Sequence, residues 1–244
     1  MKKNKLLPEE RLIISIDANS KSEIISLCKR ISGKVSTIKI GLELIYSTGP
    51  SIINTIRSFG YDVMLDAKLM DIPNTVSRAA RAIGNLDVRA LTIHTLGGRK
   101  MLVSAREAVE KQTELRAKLR PLFLGVTILT SLDDGDLDEL GFKSNFLDSV
   151  LNLSKVAVES GMDGIICSPN EVEPIRNKLG GGFYIATPGI RLPGDSAGDQ
   201  KRINTPRQAI ASGADFIIVG RSITTRGNIP KVIDMYLEEI EGSI

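Results

Sequence analysis

The chain has 244 residues, 42% hydrophobic and 25% charged, which is enough length and apolar material to bury about three quarters of its unfolded surface in one compact body and excludes disorder. Lysine and arginine exceed aspartate and glutamate by 32 − 29 = 3 with the signs interspersed, and aromatic residues are only 4%, with no tryptophan. A nucleic-acid partner, which needs basic stripes and stacking platforms, therefore finds no support. No apolar run approaches the roughly 18 residues that span a bilayer, and the first residues lack the apolar stretch of a secretion signal. The two cysteines, Cys28 and Cys167, have neither disulfide-framework nor zinc-site spacing, so the chain reads as a soluble cytoplasmic protein with no metal and no membrane partner.

Residues 1–10 place Pro8, Glu9 and Glu10 after several lysines and read as a loose terminus ahead of a single domain over 11–244. From there, short β-branched apolar runs alternate with amphipathic stretches. In chain order the predicted strand and helix pairs are 12–16 and 20–32, 35–40 and 50–59, 63–67 and 74–84, 90–93 and 99–118, 122–129 and 145–160, 164–167 and 171–179, 184–186 and 206–212, and 216–219 and 229–239. The strand runs are continuous in apolar character, the mark of parallel strands covered on both faces. Ser20 and Glu23 have capping-box spacing, and Gly33, Gly60, Gly84, Gly161, Gly180 and Gly213 follow helix ends. Eight such units predict a (β/α)8 barrel or a doubly wound open sheet. No Gly-x-Gly-x-x-Gly follows the first strand, so the barrel is favoured.

In such a barrel chemistry is built where the strands end. The first strand ends in Asp17, the second carries Lys39 before Gly41, the third ends in Asp66-Ala67-Lys68 with Asp71 beyond it, and the fourth ends in His94. Asp66 and Lys68, two apart on a strand, are expected on one side. A network of Lys39, Asp66, Lys68 and Asp71 costs desolvation and is a weak source of stability, so a chemical use is the better reason for it. Arg191, after the seventh strand, and Arg221, after the eighth, stand beside glycines where these barrels commonly hold a phosphate. The loop from Gly189 to Thr205 reads as a lid. His94 reads as a hydrogen-bonded structural residue, and Cys167 has no base nearby in sequence to make it a nucleophile.

The run Asp66-Ala67-Lys68-Leu69-Met70-Asp71-Ile72-Pro73-Asn74-Thr75 resembles the D-x-K-x-x-D-I-P-N-T motif of the orotidine 5′-phosphate decarboxylases. Ile16-Asp17, Lys39-Ile40-Gly41, Val126-Thr127, Leu129-Thr130-Ser131, Pro188-Gly189-Ile190-Arg191, Gly198 through Arg202, and Gly213 through Arg221 follow in order. The resemblance implies a TIM-barrel enzyme without cofactors, with Lys68 as proton donor, Asp66 and Asp71 in the charge network, and Asp17 and Lys39 on the ribose hydroxyls. It implies Thr130 on the pyrimidine, Gln200 in the lid between base and phosphate, Arg191, Gly220 and Arg221 on the phosphate, and Pro188 among the residues that bind the substrate. It further implies a homodimer in which Asp71, Ile72 and Thr75 enter the partner's site. Ser222 stands where many members carry proline.

Two other readings compete with this one. A related Mg²⁺-dependent sugar-phosphate decarboxylase or aldolase shares the Asp-x-Lys-x-x-Asp core but has an acidic residue where this chain has Lys39, and a cation there repels a metal. A catalytically silent nucleotide-phosphate sensor would keep Arg191 and Arg221 without needing Asp66, Lys68 and Asp71.

Overall fold

The computed structural model describes residues 6–114, 119–195 and 204–243. All eight predicted strands form: β1 (Leu12–Ile16), β2 (Thr37–Ile40), β3 (Asp62–Leu69), β4 (Ala90–His94), β5 (Leu122–Val126), β6 (Gly164–Ile166), β7 (Tyr184–Thr187) and β8 (Phe216–Val219). They pair in parallel in sequence order, and β8 closes on β1. The single (β/α)8 barrel is the observed fold, and the open sheet is not.

Two-sided burial explains the closure. Successive side chains on a strand point alternately to the helix layer and to the barrel interior. Leu12, Ile14 and Ile16 of β1, Ile38 and Ile40 of β2, and Val63 and Leu65 of β3 join the large cluster beneath the helices. Ile13, Met64, Leu124, Tyr184 and Phe216 pack in a second cluster inside the barrel. Each such side chain contributes roughly 1.5–3 kcal/mol when fully buried, so a polar residue in the interior register stands out. Lys39 follows Thr37, Asp66 follows Met64 and Thr92 follows Ala90 in that register, each toward the C-terminal end of its strand.

Several local expectations change. The stretch read as a loose terminus is packed from Leu6 onward. Pro8–Arg11 is a helical turn, and its Glu9 carbonyl accepts the Ser36 N–H at 3.1 Å. Leu6 joins the interior cluster among the strands' N-terminal ends and closes the barrel floor. The helix expected over 50–59 is Ile52–Arg57, preceded by a separate helix, Leu42–Thr48; Gly49, at φ 75°, and Pro50 break the chain between them. β5 stops at Val126 because Thr127 leaves the strand pattern and donates its hydroxyl to the Ile166 carbonyl at 3.0 Å. The helices Asp134–Glu139 and Arg221–Thr224 are too short to show a period in sequence.

Two similar clamps tie the floor. Asp163, just before β6, accepts the Phe123 N–H of β5 at 2.8 Å and pairs with Arg120 at 2.5 Å. Asp215, just before β8, accepts the Ile185 N–H of β7 at 2.7 Å and pairs with Arg176 at 2.6 Å. The Gly213-Ala214-Asp215 motif therefore supports the barrel from the end opposite the strand termini that carry chemistry. Asp215→Ala leaves the largely buried Arg176 guanidinium without its counter-charge, and breaking such a pair costs about 3–5 kcal/mol. Urea unfolding is expected to show that loss with native kcat in the folded fraction; a change below about 1 kcal/mol would contradict the clamp.

Candidate active site

Three of the predicted charges meet within one chain. Lys39 on β2 and Lys68 on β3 both donate to Oδ2 of Asp66, at 3.0 and 2.7 Å. Oδ1 of Asp66 accepts the hydroxyl of Thr92, on β4, at 2.8 Å. Burial alone would raise the Asp66 carboxyl, but the two ammonium groups and their hydrogen bonds outweigh it and hold the pKa at about 2. Asp66 is thus ionised across the neutral range, and two cations share one carboxylate. The Lys68 side chain is 34% exposed against 13% for Lys39, so Lys68 is the ammonium that faces the opening.

Lys68 reaches Asp66 by a route the two-residue spacing does not describe. Its φ is 45°, and the pairing of β3 with β4 shifts between Leu65 and Leu69, as at a bulge. A left-handed backbone at a residue with a side chain costs on the order of 1–3 kcal/mol and persists only where its surroundings enforce it. Here the Lys68 N–H is held by the Thr92 hydroxyl at 2.9 Å.

The charges line a cleft of about 190 Å³ whose other side is apolar, with Val126, Ile128, Ile166, Pro188 and Ile218, and whose rim carries Leu129 and Thr130. Because β2 to β4 and β5 to β8 occupy opposite arcs of the barrel, cations face a greasy wall. This arrangement suits a flat ring that develops charge at one edge. Asp17 is exposed just beyond β1.

Asp71 departs from the expectation of a four-charge network. It is exposed, its Oδ1 accepts the Ile72 N–H at 2.6 Å, and among the described residues it forms no ion pair with Lys39 or Lys68. The reason is its position past the end of β3, where the chain turns into the helix Pro73–Ile83. Ile72 and Thr75 are exposed beside it.

On the opposite arc, Gly189 turns the chain after β7 at φ 79°, a conformation that glycine adopts without strain. A bridge between Ile190 and Asn204 pins the base of the long loop, and Arg191 donates to the Ile190 carbonyl at 2.9 Å. Gly220 precedes the helix Arg221–Thr224 directly after β8, so Arg191 and Arg221 follow neighbouring strands at the same barrel end. Gln200 and the centre of the expected lid lie outside the described residues.

His94 differs from its expected role, since among the described residues its buried Nδ1 has no hydrogen-bond partner. Burial, and then the Lys68 ammonium, push its pKa down, which favours the neutral ring. Cys167 is fully buried, and burial pushes its thiol well up, which agrees with its exclusion as a nucleophile. Thr92 is the site residue missed in sequence. The available signal was its place two residues after Ala90, in the interior register of an otherwise apolar strand.

These features define a (β/α)8 barrel with a cluster of opposite charges in the cleft at its mouth. The family model described as "Orotidine 5′-phosphate decarboxylase / HUMPS family" matches residues 10–236. The orotidine 5′-phosphate decarboxylase of Carboxydothermus hydrogenoformans is 40% identical, over 96% of this chain and 97% of its own. That of Vibrio cholerae serotype O1 is 38% identical, over 97% and 99%. The crystal structure of the Lactobacillus acidophilus orotidine 5′-phosphate decarboxylase aligns with a TM-score of 0.84 at 33% identity, covering 95% of this chain and 99% of that one. The chain belongs to the orotidine 5′-phosphate decarboxylase / HUMPS family, and the expectation of an enzyme of this kind is met. Among the described residues no helix is long and apolar enough to cross a membrane.

Proposed function

We propose that the protein converts orotidine 5′-phosphate to uridine 5′-phosphate in the cytoplasm, without metal or organic cofactor, and that Lys68 protonates C6. The observation that carries this reading is the Lys39–Asp66–Lys68 cluster, with Lys68 toward the cleft. The bond from C6 to the carboxylate breaks heterolytically, carbon dioxide leaves, and the electron pair stays on C6 in a ring-plane orbital that the ring carbonyls cannot accept. An ammonium held in place by a carboxylate stabilises that charge and then transfers its proton to C6, leaving an amine that is reprotonated from water. Asp17 and Lys39 hold the ribose hydroxyls, Thr130 the pyrimidine, and Pro188 its flank, while Arg191, Gly220 and Arg221, with Gln200, hold the phosphate. Binding free energy gained at that remote anion assists the step at C6.

The active unit in this reading is a homodimer. Tyr46 is 84% exposed and Ile72 66%, with Leu42, Met70 and Leu96 also exposed. All follow β2, β3 or β4 at the barrel mouth, which makes one apolar sector around Asp71 and Thr75. A second copy covering that sector brings Asp71, Ile72 and Thr75 to the partner's cleft.

The donor set does not suit Mg²⁺, because the buried carboxylate at this position, Asp66, is already bound by two ammonium groups. Loss of orotidine monophosphate absorbance by the purified protein is therefore expected at an undiminished rate in excess EDTA. Activity abolished by EDTA and restored by Mg²⁺ would favour the sugar-phosphate reading. Nucleotide binding without turnover would favour the sensor.

A further inference from the structure

We propose that Thr92 is a positioning residue for Lys68, its single hydroxyl joining the lysine backbone and the Asp66 carboxylate into one unit that aims the ammonium at the cleft. This inference rests on the reading of Lys68 as the proton donor. The direction of the hydrogen bonds follows from chemistry. An ionised carboxylate only accepts, so the Thr92 hydroxyl must donate its one proton to Asp66 Oδ1, at 2.8 Å. Its lone pairs are then free for the Lys68 N–H, at 2.9 Å.

The Lys68 N–H needs that acceptor. The register shift between Leu65 and Leu69 interrupts the β3–β4 pairing where Lys68 takes its left-handed φ. Left unpaired in this partly enclosed place, the N–H would disfavour the conformation. Thr92 itself is anchored firmly: it is 1% exposed, it lies within β4, whose ladder pairs it with Leu124 of β5, and its branched Cβ restricts χ1. The hydroxyl thus transmits the rigidity of the barrel wall to Asp66 and to the backbone that carries the ammonium, whereas the Lys39 ammonium bonds the Asp66 carboxylate from the β2 side.

Thr92→Val keeps the shape and removes the hydroxyl, and Thr92→Ser keeps the hydroxyl and loses a methyl. Because a misplacement of about 1 Å costs on the order of 10²-fold, kcat of Thr92→Val is expected to fall roughly 10- to 100-fold. Dissociation constants for uridine 5′-phosphate should stay within about three-fold of native, and Thr92→Ser should keep kcat within about five-fold. Native kcat in Thr92→Val would overturn the proposal, as would an affinity loss as large as the kcat loss or a serine variant as impaired as the valine one. Should Thr92→Val fail to fold, Thr92→Cys, a weaker donor of similar size, decides by the same measurements, with kcat expected at least about five-fold below the serine variant and equality overturning the proposal. Lys68→Ala run in parallel separates the two readings. Turnover surviving that change defeats the proton-donor reading, whereas an inactive Lys68→Ala beside a native-like Thr92→Val defeats only the positioning role.

Discussion

Lys68→Ala is expected to lose at least roughly 10⁴-fold in kcat while uridine 5′-phosphate binds within about ten-fold of native, because the ammonium acts on charge that exists only as the bond to carbon dioxide breaks. A proton donor contributes about 10²–10⁴-fold and a placed charge a further 10²–10³-fold, and in the proposed mechanism one group performs both tasks. The fold should tolerate the change. Asp66 keeps its bond to Lys39 at 3.0 Å and to Thr92 at 2.8 Å, so no buried carboxylate is stranded, and the left-handed strain at this position is the same for alanine as for lysine because both carry a Cβ. Thermal melting checks that point, and single-turnover kinetics with product titration separates chemistry from binding. An affinity loss matching a small kcat loss would assign Lys68 to holding the nucleotide and remove it from proton transfer.

Mixing two nearly inactive variants is expected to restore about a quarter of native activity. Asp71 is exposed in one chain, and among the described residues its carboxylate accepts only the neighbouring Ile72 N–H, whereas Lys68 lies in the cleft. If a site draws Lys68 from one chain and Asp71 from the other, a dimer of one Lys68→Ala and one Asp71→Ala chain has one site with both defects and one with neither. Random exchange makes roughly half of the dimers mixed, each with one intact site of two, which gives the quarter. Exchange is verified by tagging one variant and recovering both chains together. No recovery after verified exchange would place Asp71 in its own chain's site and leave the apolar sector around Tyr46 and Ile72 without its catalytic reason.

The alternation of strands and helices was legible in the sequence because each strand is covered on both faces, so its apolar run is continuous and its borders are marked by glycine, proline and polar residues. The same punctuation pointed to Asp17, Lys39, Asp66, Lys68, Arg191 and Arg221, since a polar residue ending an apolar run must sit at a barrel rim. Beyond that, local pattern carries no information about partners. That Lys39 and Lys68 share one oxygen of Asp66 depends on the register of β2 against β3. That Lys68 turns left-handed and leans on Thr92 depends on the shifted pairing with β4, and an i, i+2 spacing hides it. Asp71 looks like a fourth member of the network in sequence and stands apart in the chain because β3 ends before it. Leu6 reads as part of a loose end until the barrel presents a floor for it to close. Hydropathy is a property of each segment, so the sequence by itself determined the elements and the residues at their ends. Hydrogen-bond partners and buried charge are settled between segments, where desolvation must be offset by a group from another strand, and only the closed barrel decided those.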